Sequence, residues 1–544
     1  FGNYRAVLVG RENNNPKAIA ENNELLFFTN YPSENGQLKS WLHEHDSRYV
    51  GANQSSEVAG GVPVNRPNVR VQEMNEWEIK TQAGILHYNM KWLDDDKGRE
   101  KKRAFLKSIW LQACAFLYTN RVHPEEIFWS YPGSMMTSDR DELEGIFEDL
   151  CKITPFGRKP ELANKLFTEA EAVCSYAMSQ EFGLNSNNMF LGIDVGGSTS
   201  DILLIAKNPQ NNNRYSLFRE SSVRLAAGVF FDAVKKSEQY RQALVDFHEG
   251  HDTAVYVENI KEIIDHPDKA PYYLNSIFDQ LKNQDDYDAF YASLSSNAKF
   301  VFTIPAYVCG LLLFYSGMLI GKTIKLNRLG NIERIELMPF GKGGRLFHWL
   351  RHASSSRTTN EFYNNCVNAG LQLIIPDKTV SIKYHEEIEN DNKTEVARGL
   401  CENNELAIVD ALNDCDICGE TGVRFIKDGN TISIAPDDEI SGEQFSDDMS
   451  YFDFSGVQNF EKFMDIFIKF VSKDTKLYHR AEDSLRDEIC ELPTLIISFF
   501  TNDPEYKKAS KNNKNGEGFH YHQPIIIAEG ACFLKSLISK VFNQ

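Results

Sequence analysis

The chain has no extended basic stripe to set against its acidic excess. Its 58 Lys and Arg face 77 Asp and Glu, a formal net charge of -19, which argues against bulk nucleic acid or an anionic membrane surface as partner. Paired cysteine motifs are missing too. Ten cysteines are scattered over 544 residues, and only Cys415-x-x-Cys418 has ligand-like spacing, so neither a zinc site nor redox work is expected. The thiols are expected to be reduced and mostly small buried apolar groups, as in a cytoplasmic protein. No secretory leader pattern opens the sequence, and no short-period repeat runs through it. Long uncharged runs are scarce. One lies between Lys299 and Lys322 and is long enough to span a bilayer, but Pro305, Gly310, Ser316 and Gly317 interrupt it. Because "VFTI" looks like a β-run, the expectation is a buried strand leading into a buried helix.

What the chain does have is ordinary globular material, 42% apolar and 25% charged, in a length that predicts two or more domains. "YRAVLVG" and "ELLFF" are short β-rich runs, whereas residues 99–120 recur apolar at helical spacing. "EEIFWSYPGSM" predicts a strand, "DRDELEGIFEDLCKI" an amphipathic helix, and 160–183 a further helix. Strands alternating with helices argue for an α/β architecture with covered sheets. Beyond 400 the pieces are "GVRFIKDGNTISIAPDD", β-like, then helical patterns, and at the end "QPIIIAEGACFLKSLISKVF", which reads as a strand, a glycine turn and a helix.

The most unusual stretch is "NMFLGIDVGGSTSDILLIAK", 188–207, where two apolar runs flank Gly196, Gly197, three hydroxyls and the carboxylates Asp194 and Asp201. A Gly-Gly pair permits positive φ and lets backbone N–H groups face inward. Such N–H groups form a nest for an anion, and Ser198 and Thr199 add hydroxyl donors. Carboxylates beside phosphate require a cation, so Asp194 and Asp201 would hold Mg²⁺ through its waters or orient an attacking water. A plain hairpin with turn residues fits the same letters, and no Gly-Lys-Ser/Thr follows the turn to make it a Walker A loop.

"IDVGGSTSD" resembles the second phosphate motif, D-x-G-G-x-T-x-D, of the superfamily of actin, sugar kinases and seventy-kilodalton heat-shock chaperones. Further resemblances follow in the family's order. "IFWSYPGSM" is similar to the strand and turn before the first connecting helix, and "FTEAEAVCSYA" to the helix upstream of the second phosphate motif. "VRLAAGVFFD" resembles the chaperones' G-G-x-D-F-D, the uncharged 306–321 the second connecting helix, "IERIELMPFGKGGRLFHWL" the adenosine motif, and "KTEVARGL" the final helix returning to the first lobe. The departures are definite. No full D-x-G-x-T stands near the start, where "FGNYRAVLVG" lies; Tyr131-Pro132-Gly133 replaces V-P-A; and Ala170 stands where proline is usual.

The resemblance, which covers roughly 1–400, implies a two-lobed actin-like ATPase fold of two ribonuclease-H-like domains with a C-terminal α+β extension. It implies lobe I at 1–187, lobe II at 188–375, a helix returning to lobe I at 376–400, and an extension of unknown role at 401–544. It further implies ATP and Mg²⁺ as cofactors. Gly196, Gly197, Ser198 and Thr199 would contact the β- and γ-phosphates, and Asp194 and Asp201 would act through Mg²⁺. Glu169 would position the attacking water, with Glu171 as the alternative, and Lys80 is the nearest candidate for a catalytic lysine. Gly341, Gly343 and Gly344 would let backbone approach the nucleoside, and Arg345 would flank the adenine. Two lobes about a nucleotide imply a hinge, hence an ATPase switch acting on a protein partner or client. A polymerising actin-like protein ranks second and a small-molecule kinase third.

Overall fold

The computed structural model describes strand backbone between 8 and 87 and parts of 96–117. With small gaps it also describes 121–179, 187–249, 284–385, 395–401, 407–408, 416–439, 453–474 and 523–542. The protein is a mixed α/β chain that divides into two compact units. Unit 1 comprises 1–180, 234–298 and 389–405, and unit 2 comprises 181–233, 299–388 and 406–544.

In unit 1 the described residues between 96 and 117 are helical. Leu106, Trp110, Cys114 and Leu117 recur at the spacing that puts them on one buried face. They pack on Leu143, Ile146 and Leu150 of the helix Thr137–Ile153, and Trp129 stacks on Phe147 with ring centroids 5.1 Å apart. The strand expected at 125–135 is two short pieces, Glu126–Ile127 and Ser130–Tyr131. Each pairs in parallel with a strand beyond the helix, Glu161–Leu162 and Phe167–Thr168. The helix expected over 160–183 is correspondingly shorter, Glu169–Ser179, because its first residues belong to those strands. The helix Glu395–Cys401 crosses it so closely that a methyl on Gly399 would strike the Ala172 carbonyl.

The larger sheet described in unit 2 has six strands. Its first strands are β1 (Asn188–Val195), β2 (Ser200–Asn208) and β3 (Arg214–Val223). Then come helix α1 (Gly228–Lys236), whose residues from Val234 on count with unit 1, and the long helix α2 (Thr303–Asn327). β4 (Arg334–Phe340), α3 (Arg345–Ala353), α4 (Ser356–Ile374), β5 (Ser381–Tyr384) and β6 (Ala407–Ile408) follow. The spatial order is β5-β4-β1-β2-β3-β6. β1, β2 and β3 form consecutive antiparallel hairpins, whereas β4 lies parallel to β1, β5 parallel to β4 and β6 parallel to β3. Met189, Phe190, Leu191 and Ile193 are all buried, so successive residues of β1 are covered on both faces, as the unbroken apolar run required. At the start of these strands Glu336 pins the parallel register. It accepts from Asn188 Nδ2 at 3.1 Å and Arg334 Nε at 2.7 Å, with His385 Nε2 2.7 Å away.

The last part of unit 2 contributes a small sheet of β7 (Val423–Lys427), β8 (Asn430–Ile434) and β9 (Asp453–Phe454), in the order β8-β7-β9. Among the described residues it also has the helices α5 (Gln458–Lys469) and α6 (Ile525–Phe542). They lie against α2, where Tyr307 meets Phe463, Phe467 and Phe533 at centroid distances of 5.3 to 5.8 Å.

Two expectations are corrected here. The run "VFTI" is not a strand: Phe300–Phe302 is a 3₁₀ turn leading straight into α2. Pro305 sits in the first helical turn, where a missing N–H costs nothing. By length and composition α2 would pass for a membrane span, yet its whole most apolar window is buried inside the protein. The strand and glycine turn expected at 523–542 are instead the single helix α6. Gly530 is a packing point rather than a turn, because a methyl there would strike Leu311, and the Tyr307 hydroxyl donates to its carbonyl at 2.9 Å.

Candidate functional site

The β1–β2 hairpin ends in two paired rungs, Asp194 opposite Asp201 and Val195 opposite Ser200. Residues directly opposite on an antiparallel pair project to the same face, so the two carboxyl groups lie side by side. Asp201 is buried and Asp194 half-buried. Like charges so placed repel one another, and a cation between them relieves that repulsion. Beyond the rungs the turn is closed by the Gly196 N–H donating to the Thr199 carbonyl at 2.9 Å. Thr199 is buried, and the Ser200 hydroxyl donates to the Leu225 carbonyl at 2.5 Å. Ser198 lies outside the described residues.

Two further loops hold this turn. Ahead of α1, the N–H groups of Ala227 and Gly228 donate to the carbonyls of Gly196 and Gly197, each at 3.0 Å. A methyl on Gly228 would run into the Gly197 carbonyl. On the other flank, β4 runs beside β1 until Phe340 stands next to Asp194. The chain then turns through Gly341, φ 65°, and the 3₁₀ turn Lys342–Gly344 into α3. A side chain at Gly341 would strike Asp194 Oδ1, and one at Gly343 the Val195 carbonyl. Arg345, the first residue of α3, is half-buried. Loops 196–199, 225–228 and 341–344 therefore meet at the carboxyl ends of the parallel strands β1 and β4, where open α/β sheets bind ligands.

The positive φ expected at the Gly-Gly pair is absent at Gly196, which lies outside the left-handed region. Gly196 is required for another reason: a Cβ there would come within 2.8 Å of the Thr199 carbonyl oxygen. The left-handed residue of the site is Gly341. Sequence reasoning passed over Gly228, whose only signal was its place in "LAAGVFFD".

Glu169 and Glu171 stand in unit 1, at the start of the helix Glu169–Ser179. Thr168 and Glu171 form a capping box: the Glu171 N–H donates to Thr168 Oγ1 at 3.0 Å, and the Thr168 N–H to Glu171 Oε2 at 2.8 Å. Glu171 is thereby occupied in starting the helix, and Glu169 is the stronger of the two candidates. Thr168→Ala is expected to cost about 1 kcal/mol, read as a lower denaturation midpoint. Lys80 lies on the strand Glu78–Thr81, with its side chain outside the described residues, as is Cys415. The Cys418 thiol is buried, donates to the Glu420 carbonyl at 3.5 Å and is pushed up by burial, so it is an inert thiol.

No protein-family model matches the chain, and no curated protein is significantly similar to it in sequence. Among the described residues no cluster of three or more His, Cys, Asp or Glu is placed to hold a metal ion. Mg²⁺ does not need one: it keeps several waters and takes one or two carboxylates together with phosphate oxygens. The Asp194–Asp201 rung offers that donor set.

Proposed function

We propose that the chain is a Mg²⁺-dependent ATPase of two-lobed actin-like architecture, whose nucleotide state sets the conformation it presents to a protein partner. The observation that carries this reading is the meeting of three loops around the opposed carboxylates Asp194 and Asp201. The sheet supports it as well. Three antiparallel strands followed by two parallel ones, in the order β5-β4-β1-β2-β3, is the pattern that a ribonuclease-H-like lobe would have.

In this reading the backbone and hydroxyls of Gly196, Gly197, Ser198 and Thr199 bind the β- and γ-phosphates. Asp194 and Asp201 would hold Mg²⁺ through its waters, and such an ion would supply positive charge beside the phosphate oxygens. Gly341, Gly343, Gly344 and Arg345 border the nucleoside, with Arg345 giving a flat cationic face to the base.

Calorimetric titration with ATP, with and without Mg²⁺, tests the reading. Mg²⁺-linked binding and phosphate release without a second substrate are the expected results. No binding in either condition overturns it, and phosphate transfer only to an added small molecule would make the chain a kinase.

A further inference from the structure

The helix α6 carries Glu529 at 0% exposure, and neither of its carboxyl oxygens receives a hydrogen bond from a described donor. The group it faces is the Glu420 carboxyl, also 0% exposed. Glu420 is amply supplied. Its Oε1 accepts from the Thr421 N–H at 2.6 Å, the Thr421 hydroxyl at 3.0 Å and the Asn459 N–H at 3.0 Å. Its Oε2 accepts from the Phe460 N–H at 2.9 Å. Asn459 and Phe460 lie in the first turn of α5, and the residue preceding that helix, Val457, gives no side-chain cap. Glu420 is thus a cap delivered from a distant loop, set against the positive end of the helix dipole.

Two ionised carboxylates only accept hydrogen bonds, so they cannot occupy one dry site together. One proton has to reside there, and the donors decide where. Glu420 has four donors and a helix N-terminus favouring its charged form, whereas Glu529 has neither. The geometry points to a proton-dependent clasp: neutral Glu529 of α6 donates a hydrogen bond to the Glu420 carboxylate that caps α5, tying both helices to one loop.

The other titratable groups facing this pair do not displace that proton. Cys532 on α6, Cys418 on the loop and Tyr307 on α2 are all held neutral by burial. Asp438 acts on Cys418 and Lys535 on Cys532. Burial first, and then the Glu420 charge, hold Glu529 well above the usual carboxyl range. Burial raises Glu420 too, opposed by its N–H donors. The sign follows for a group raised on folding. The clasp contributes fully below the unfolded carboxyl pKa of about 4.3 and is lost as pH rises through the folded value.

Denaturant unfolding of the full chain from about pH 5 to about pH 8 tests this. The wild-type unfolding constant should rise by up to about tenfold per pH unit more than that of Glu529→Gln, whose amide donates at every pH. Infrared spectra of folded wild type at neutral pH should show a protonated-carboxyl band that disappears on unfolding. Absence of that band overturns the clasp whether or not the variant folds, as does a variant with the wild-type pH slope. The outcome is independent of nucleotide binding.

Discussion

Gly370→Ala is expected to cost unit 2 more than about 3 kcal/mol, read as a large fall in the denaturant midpoint or as failure to fold. The reason is the crossing of α2 and α4. A methyl on Gly370 would strike the Phe314 carbonyl and come within 3.1 Å of the Met318 nitrogen. Gly317 makes the reciprocal contact, where a methyl would strike the Val367 carbonyl and lie 2.9 Å from the Leu371 nitrogen. Both obstacles are main chain inside helices, so neither can swing aside as a side-chain tip would. Overpacking a core costs about 1–3 kcal/mol when side chains can yield, and more when they cannot. Gly145 in the helix Thr137–Ile153 gives the control, because nothing lies within 4 Å of an added Cβ. Gly145→Ala is expected to stabilise by up to about 1 kcal/mol. Equal effects from the two substitutions would show that the crossing is not as close as described.

The second large effect is chemical. In the proposed ATPase reading, Asp194→Asn and Thr199→Ala are each expected to lower the rate of phosphate release about 100-fold or more, since Asp194 would hold Mg²⁺ and Thr199 would contact the phosphates. Asparagine keeps the size and shape of the Asp194 side chain, so the circular-dichroism spectrum of that variant should match the wild type while turnover falls. Wild-type turnover in both variants would remove the hairpin from the chemistry.

How much of this was legible in the sequence depended on how local the cause was. The β1–β2 hairpin was readable because its apolar runs and its Gly-Ser-Thr turn are contiguous, and β4 with the glycine-rich turn at 341–344 was readable for the same reason. The helical character of 301–304 was not, because Val301, Phe302, Thr303 and Ile304 favour a strand locally, whereas they form a 3₁₀ turn and the first residues of the buried helix α2. Nor was α6: Ile525, Ile526 and Ile527 favour a strand locally, and only the space taken by Tyr307 and Leu311 makes Gly530 a helical contact. The roles of Glu420 and Glu529 have no sequence signature at all. The two residues meet only after the loop at 416–421 and the last helix have folded onto α5.

The burial of α2 sets a time problem for synthesis. Its covering helices α4 and α5 follow it, and α6 comes last, roughly 200 residues after α2 ends. At about 5–20 residues per second, a helix whose first 19 residues, 303–321, carry no charge waits about 10–40 s for its final cover. The glycine-lined crossing with α4, complete within the next 50 or so residues of chain, is therefore a shield the nascent chain can raise well before α6 against aggregation or capture by a membrane.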